Sequence, residues 1–185
     1  MVNWTKRVEK AADGILEPGE QILAGVNLTK QQFTVSGGVT GGAVAGGLVG
    51  ALVGGAWDRR QATKQEEDEL VRDRAAIEDL AVRDVSFPIA GSVAGVTDRR
   101  LLLFKSSQMG SPKDVFFEVP LSEVDTVYDR EVEKKLLRGA PASRAILIVF
   151  KDQTALPLWG ITAKPNGKWV EAFIVAVRQA VAAVR

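Results

Sequence analysis

The sequence predicts an α+β protein, an antiparallel sheet of about seven strands followed by one C-terminal amphipathic helix. Two patterns carry this expectation. Beyond Pro88, short apolar runs alternate with turn signals, and from about Asn166 to Val184 apolar residues recur at intervals of three and four. A chain of 185 residues with 46% apolar and 25% charged side chains is also large enough for one soluble domain with a real core.

The elements follow in order. Trp4, Val8, Ala11 or Ala12 and Ile15 lie three to four residues apart, which predicts a short amphipathic helix within residues 2–16, stopped by Gly14 and then Pro18-Gly19. Glu20 to Leu28 alternates loosely and reads as the first strand. From Phe33 to Trp57 no residue is charged, and GGVTGGAVAGGLVGALVGGAW holds nine of the chain's eighteen glycines. Gly38, Gly42, Gly46, Gly50 and Gly54 recur every fourth residue. The spacers are Val, Ala and Leu rather than the polar residues of a flexible linker, so the segment calls for burial.

Residues 58–84 contain no glycine or proline and carry opposite charges at Lys64/Asp68, Asp68/Arg72 and Arg74/Glu78, which predicts a solvated helix. Its apolar stripe of Leu70, Ile77 and Ala81 is thin, fitting a charged helix with one face laid on the domain. Strands are then expected at about Ala90 to Val96, Arg100 to Lys105, Val115 to Val119, Val124 to Glu131, Arg144 to Phe150 and Thr154 to Trp159. Turn signals separate them at Thr97-Asp98, Gly110-Ser111-Pro112, Gly139-Ala140-Pro141 and Lys151-Asp152. In the closing helix Trp169, Phe173, Val177, Ala180 or Val181, and Val184 form the stripe committed to a core.

Composition narrows the chemistry. Histidine and cysteine are absent, which removes the imidazole base, the thiolate nucleophile, and zinc, haem or iron–sulfur ligation through those residues. The acids Glu66 to Glu69 and Asp125, Asp129 read as solvated faces, and the glycine block lacks the lysine of a phosphate loop. No enzymatic activity and no cofactor are expected. Net charge is +1, and residues 85–185 exceed neutrality by only four positive charges, too few for a nucleic-acid-binding face. The first ten residues, MVNWTKRVEK, lack the apolar run of a secretory signal, so the chain is expected in the cytoplasm.

Three stretches suggest a family: the hairpin GSVAGVTDRRLLLFKS (Gly91 to Ser106), FFEVPLSEVDTV (Phe116 to Val127), and KWVEAF (Lys168 to Phe173), which puts an aromatic on the first turn of the last helix. Together they resemble the bacterial pleckstrin-homology-like domain, related in shape to GRAM domains. The resemblance covers roughly residues 15–30 and 89–185. It implies a strongly bent antiparallel sheet or barrel with the C-terminal helix capping one end, and a T-x-x-R-[LI] turn formed by Thr97, Arg100 and Leu101. It makes Glu20 to Leu28 strand one, and the glycine-rich and charged segments a helical insertion between strands one and two. The organisation expected is an N-terminal helix and turn (1–19), the domain (20–36 and 85–185), the glycine-zipper segment (37–57) and the charged helix (58–84).

Those pleckstrin-homology domains that bind phosphoinositides use basic residues in the strand one to strand two connection, and this chain departs from that pattern. Here Lys30 is the only basic residue before the glycine block, and Arg59, Arg60 and Lys64 follow it. These three, with Arg99, Arg100 and Lys105, are the candidates for anionic-lipid contact. Asp98 suits a tight turn, and Arg99 and Arg100 equally suit the solvated tip of a hairpin.

Glycine in a helix costs roughly 1 kcal/mol relative to alanine, so nine of them cost a lone helix on the order of 8 kcal/mol. That is comparable with the stability of a whole domain. Helix there requires close packing, which glycines every four residues permit, backbone against backbone. Two ends held on one sheet oppose a single membrane span, and a break at Gly46-Gly47 leaves arms of roughly 13 Å, too short to cross. The segment is expected to pack on itself, on sister chains, or shallowly in a membrane. The function expected is a non-enzymatic binding or scaffold protein, self-associating or attached peripherally at the inner face of the membrane through Gly38, Gly42, Gly46, Gly50 and Gly54. The alternative is a soluble adaptor that binds a peptide at a sheet edge or helix groove, with the glycine segment packed intramolecularly.

Overall fold

A computed structural model of the protein describes residues 2–28, 80–88, 91–107, 110–132, 143–163 and 166–185. The glycine-zipper segment and the charged residues up to 79 lie outside the described residues.

Helix α1 (Trp4–Ala12) is shorter than the spacing of Ile15 implies. Asn3 caps it by accepting a hydrogen bond from the Lys6 backbone at 3.1 Å, and Gly14 at φ +79 turns the chain away. Ile15 falls outside the helix and is exposed.

Among the described residues eight strands follow: β1 (Ile22–Leu28), β2 (Ala81–Val82), β3 (Ser92–Thr97), β4 (Arg100–Ser106), β5 (Pro112–Pro120), β6 (Val124–Val132), β7 (Ser143–Phe150) and β8 (Thr154–Ile161). Helix α2 (Gly167–Ala183) closes the chain. The strands form one open, mostly antiparallel sheet in the order β5-β4-β3-β1-β8-β7-β6, with β2 added parallel to β8. β1 therefore pairs with strands that come long after it, matching Leu28 with Ser92 of β3 and with Gly160 of β8.

β2 corrects the expectation of helix through residue 84. Ala81 and Val82 lie beside Thr154 and Ala155, and the Arg83 backbone donates to the Ala155 carbonyl at 2.8 Å. The reason is local: among the described residues β8 meets β1 only at Gly160, which leaves the edge at the start of β8 for residues 81–83 to fill. Ala81 thus belongs to a strand, and the stretch continues extended, packing Val85 and Phe87 against the core and setting the Phe87 ring edge-on to Phe116 at 5.8 Å.

The sheet carries apolar groups on both faces. On the inner face Ala24, Val26, Ala94, Val96, Leu101, Leu103, Ile146, Ile148, Leu156 and Leu158 meet Val170, Phe173, Ile174, Val177, Ala180 and Val181 of α2. On the outer face Val93, Leu102 and Phe104 meet Trp4, Val8 and Ala12 of α1. The unbroken run LLLF in β4 is explained by burial from both sides. Two expectations for α2 change accordingly. Trp169 packs partly buried with the α1 cluster rather than the inner core, and Val184 is exposed beyond the helix end.

Candidate functional site

Among the described residues, the most densely linked polar cluster lies where the chain enters β1 and turns from β3 into β4. Thr97 shapes the turn: its hydroxyl accepts from the Arg99 and Arg100 backbone at 2.9 and 2.8 Å. Asp98 clips the turn to the start of β1, its carboxylate accepting from the Gln21 backbone at 3.0 Å and its own N–H donating to the Gln21 carbonyl. This geometry aims both arginines back at the N-terminal segment.

Arg100 forms the hub. It donates from Nε and Nη2 to the two oxygens of Glu20 at 2.9 Å each, from Nη1 to Glu118 at 2.9 Å, and from Nη2 to the Ile15 carbonyl at 3.0 Å. The forked geometry of guanidinium suits this bidentate pairing. The Glu20 side chain is fully buried and also accepts from the Glu17 backbone at 2.8 Å. Burial opposes its charge, but the Arg100 hydrogen bonds and the Glu17 backbone N–H outweigh it and hold the carboxyl at about 2. Arg100 in turn is raised above its ordinary value, chiefly by its bond to Glu20. Arg99 pairs with Glu17 at 2.7 Å on the exposed rim. The arrangement holds charges in place; a carboxylate so stabilised is not a proton donor near neutral pH.

The second constellation is the α1 groove. Gly25 and Gly95 stand opposite each other in the β1–β3 ladder. A Cβ at Gly25 would come within 2.7 Å of both the Trp4 carbonyl oxygen and Val8 Cγ2, and one at Gly95 within 2.5 Å of Val8 Cγ1. The two glycines form a notch that seats Val8. At the helix start, Trp4 Nε1 donates to Asn166 Oδ1 at 3.1 Å, tying α1 to the residue before α2.

A third cluster fastens β2. The Arg83 guanidinium lies 3.9 Å from the centre of the Phe150 ring, 2.7 Å from Asp152 and 3.6 Å from Glu123, and donates to Thr154. Asp152 is held at about 2, first by the Thr154 hydroxyl and backbone N–H and then by Arg83.

Of the expected site residues, the three that are described, Arg99, Arg100 and Lys105, are not gathered in one place. Arg99 and Arg100 face carboxylates, so an incoming anion would have to displace Glu17, Glu20 or Glu118. Lys105 is exposed at the far end of β4, opposite Ser92. Arg59, Arg60, Lys64 and the five repeat glycines lie outside the described residues. Asp129, expected on a solvated face, instead has a buried carboxylate paired with Arg144 and Arg178 at 2.6 Å each. Asp125 is exposed and pairs with Arg185.

Glu17, Glu20 and Glu118 as arginine partners, and the Gly25–Gly95 notch, were missed by sequence reasoning. The available signal was Glu20 immediately before a strand whose neighbour begins with two arginines. Among the described residues no cluster of acidic side chains is placed to hold a metal ion, and no helix is long and apolar enough to cross a membrane. No protein-family model and no curated protein matches the chain.

Proposed function

We propose that the chain is a non-enzymatic binding and scaffold protein of the pleckstrin-homology-like kind, whose glycine-rich insertion drives self-association or attachment to a membrane surface. The observation that carries this reading is the strand order. Leaving out the short β2, four strands (β5-β4-β3-β1) and three (β8-β7-β6) join through β1 and β8, and a C-terminal helix packs on the inner face. An antiparallel sheet with a C-terminal helix packed on it is the part of this arrangement that the resemblance implies.

The ends of the insertion support its role. Leu28 pairs with Gly160 and Ala81 with Thr154, so residues 29–80 leave and return beside one strand, at positions about 20 Å apart. Both ends therefore stay on one side of any membrane, which favours association or shallow attachment over crossing. For contact with an anionic surface the reading rests on Arg59, Arg60, Lys64 and Lys105, since Arg99 and Arg100 are already held by carboxylates.

A second reading is a peptide-binding adaptor: β2 of this chain pairs in parallel with the start of β8, and a peptide binding there would have to replace that intramolecular strand. Fractionation into membrane pellet and cytosol, followed by sizing of the soluble portion, separates the two. Membrane retention or an oligomer is expected from the first reading. A soluble monomer would overturn it in favour of the adaptor.

A further inference from the structure

The outer face of β1, β3, β4 and β5 is shaped to receive a helix. Its floor is the Gly25–Gly95 notch and its walls include Val93, Leu102, Phe104 and Val115. Trp4, Val8 and Ala12, each four residues from the next, enter it from α1. A helix of nine residues is marginal on its own in water, so α1 exists by virtue of this groove.

Two features leave the source of that helix open to exchange. Glu20 fixes the chain just before β1 through Arg100, so any pivot lies upstream of it. In that connection Gly14 and Gly19 stand at φ +79 and +81, a region glycine visits freely. The seven residues from Asp13 to Gly19 can reach roughly 24 Å when extended. Every side-chain contact between α1 and the groove is available equally to α1 of another molecule, and the contacts of Arg99 with Glu17 and of Arg100 with the Ile15 carbonyl can re-form across chains.

We propose that the groove is a self-recognition site, and that α1 of a second copy occupies it by reciprocal exchange to give a two-fold dimer. The anchors are Trp4, Val8 and Ala12, and the Gly25–Gly95 notch selects the side chain at the middle position. The proposal is independent of the glycine repeat.

The absence of cysteine makes the test clean. A Cβ built at Gly95 lies 3.6 Å from Val8 Cβ, within the separation a disulfide spans, about 3.5–4.5 Å. Chains carrying Val8→Cys are mixed under mild oxidation with chains, distinguishable by size, that carry Gly95→Cys together with Val8→Ala, which removes the methyl the new side chain would strike and leaves that chain's own α1 able to dock. The double variant with Val8→Cys and Gly95→Cys on one chain serves as the geometric control. The expected result is a covalent heterodimer at least tenfold above the background of either chain alone, diminished when Trp4→Ala is added to the Val8→Cys chain.

No heterodimer, while the double variant closes an internal bridge, would show that docking is strictly intramolecular and overturn the proposal. A double variant that forms no bond at all would overturn it too, because Val8 would not then sit on Gly95. So would a heterodimer yield indifferent to Trp4→Ala, which would mark indiscriminate thiol pairing. Dimers that sediment without this cross-link would overturn the exchange and leave association through the glycine repeat standing.

Discussion

Arg100 grips both oxygens of Glu20 at 2.9 Å, and the Glu20 side chain is fully buried beneath it. One pair thereby joins the segment leading into β1 to the β3–β4 turn, the two parts of the sequence that strand pairing across the insertion must bring together.

Acid should loosen this joint. Glu20 is held at about 2 in the folded chain against 4.5 ordinarily, so folding stabilises its ionised form. The stabilisation is fully present above about pH 4.5 and is lost as pH falls towards 2, a difference on the order of 3 kcal/mol. Chemical denaturation of wild type and Glu20→Gln between pH 7 and pH 3 checks this. The variant should be less stable at pH 7, and the gap should narrow on acidification.

The Val8 notch predicts a compensating pair. Gly95→Ala would press its methyl into Val8 and should destabilise by about 1–3 kcal/mol, as overpacking does. Val8→Ala removes the obstructing methyls, so the double variant should recover part of that loss. At Gly25 the obstruction includes the Trp4 backbone carbonyl, so Val8→Ala should rescue Gly25→Ala much less. A double-mutant cycle read by urea unfolding separates the two sites.

The two aromatics of α2 should behave differently. Phe173 is fully buried in the inner core, and Phe173→Ala should cost about 3–5 kcal/mol. Trp169 is only partly buried, against the α1 cluster, and Trp169→Ala should cost clearly less. Thermal unfolding of both variants provides the comparison.

Where the sequence was readable, its periodicity reported burial directly. All seven longer strands and α2 lie within two or three residues of their expected limits, because alternation and the three-to-four spacing record which face meets a core. β2 was not readable that way. Residues 58–84 are charged with good helix formers throughout, yet residues 81–83 are extended because the start of β8 offers them an edge, a tertiary cause that local composition does not carry. Trp169 shares the helical spacing of Phe173, but a second core on the outer face of the sheet draws it away. The roles of Arg99 and Arg100 were ambiguous for the same reason: Glu17 and Glu20 lie 82 and 80 residues from the arginines they pair with and Glu118 lies 18 from Arg100, and the fold brings them together.

The central claim, association through the glycine repeat, is tested most directly by replacing Gly42, Gly46 and Gly50 with leucine. Leucine is the better helix former, so intrinsic helicity should rise, yet its bulk should hold neighbouring backbones apart. Sedimentation of wild type and triple variant at equal concentration, with and without anionic vesicles, is the measurement. The account predicts that the wild type assembles or pellets with vesicles and that the variant does so more weakly; a wild type that stays monomeric and ignores vesicles would contradict it.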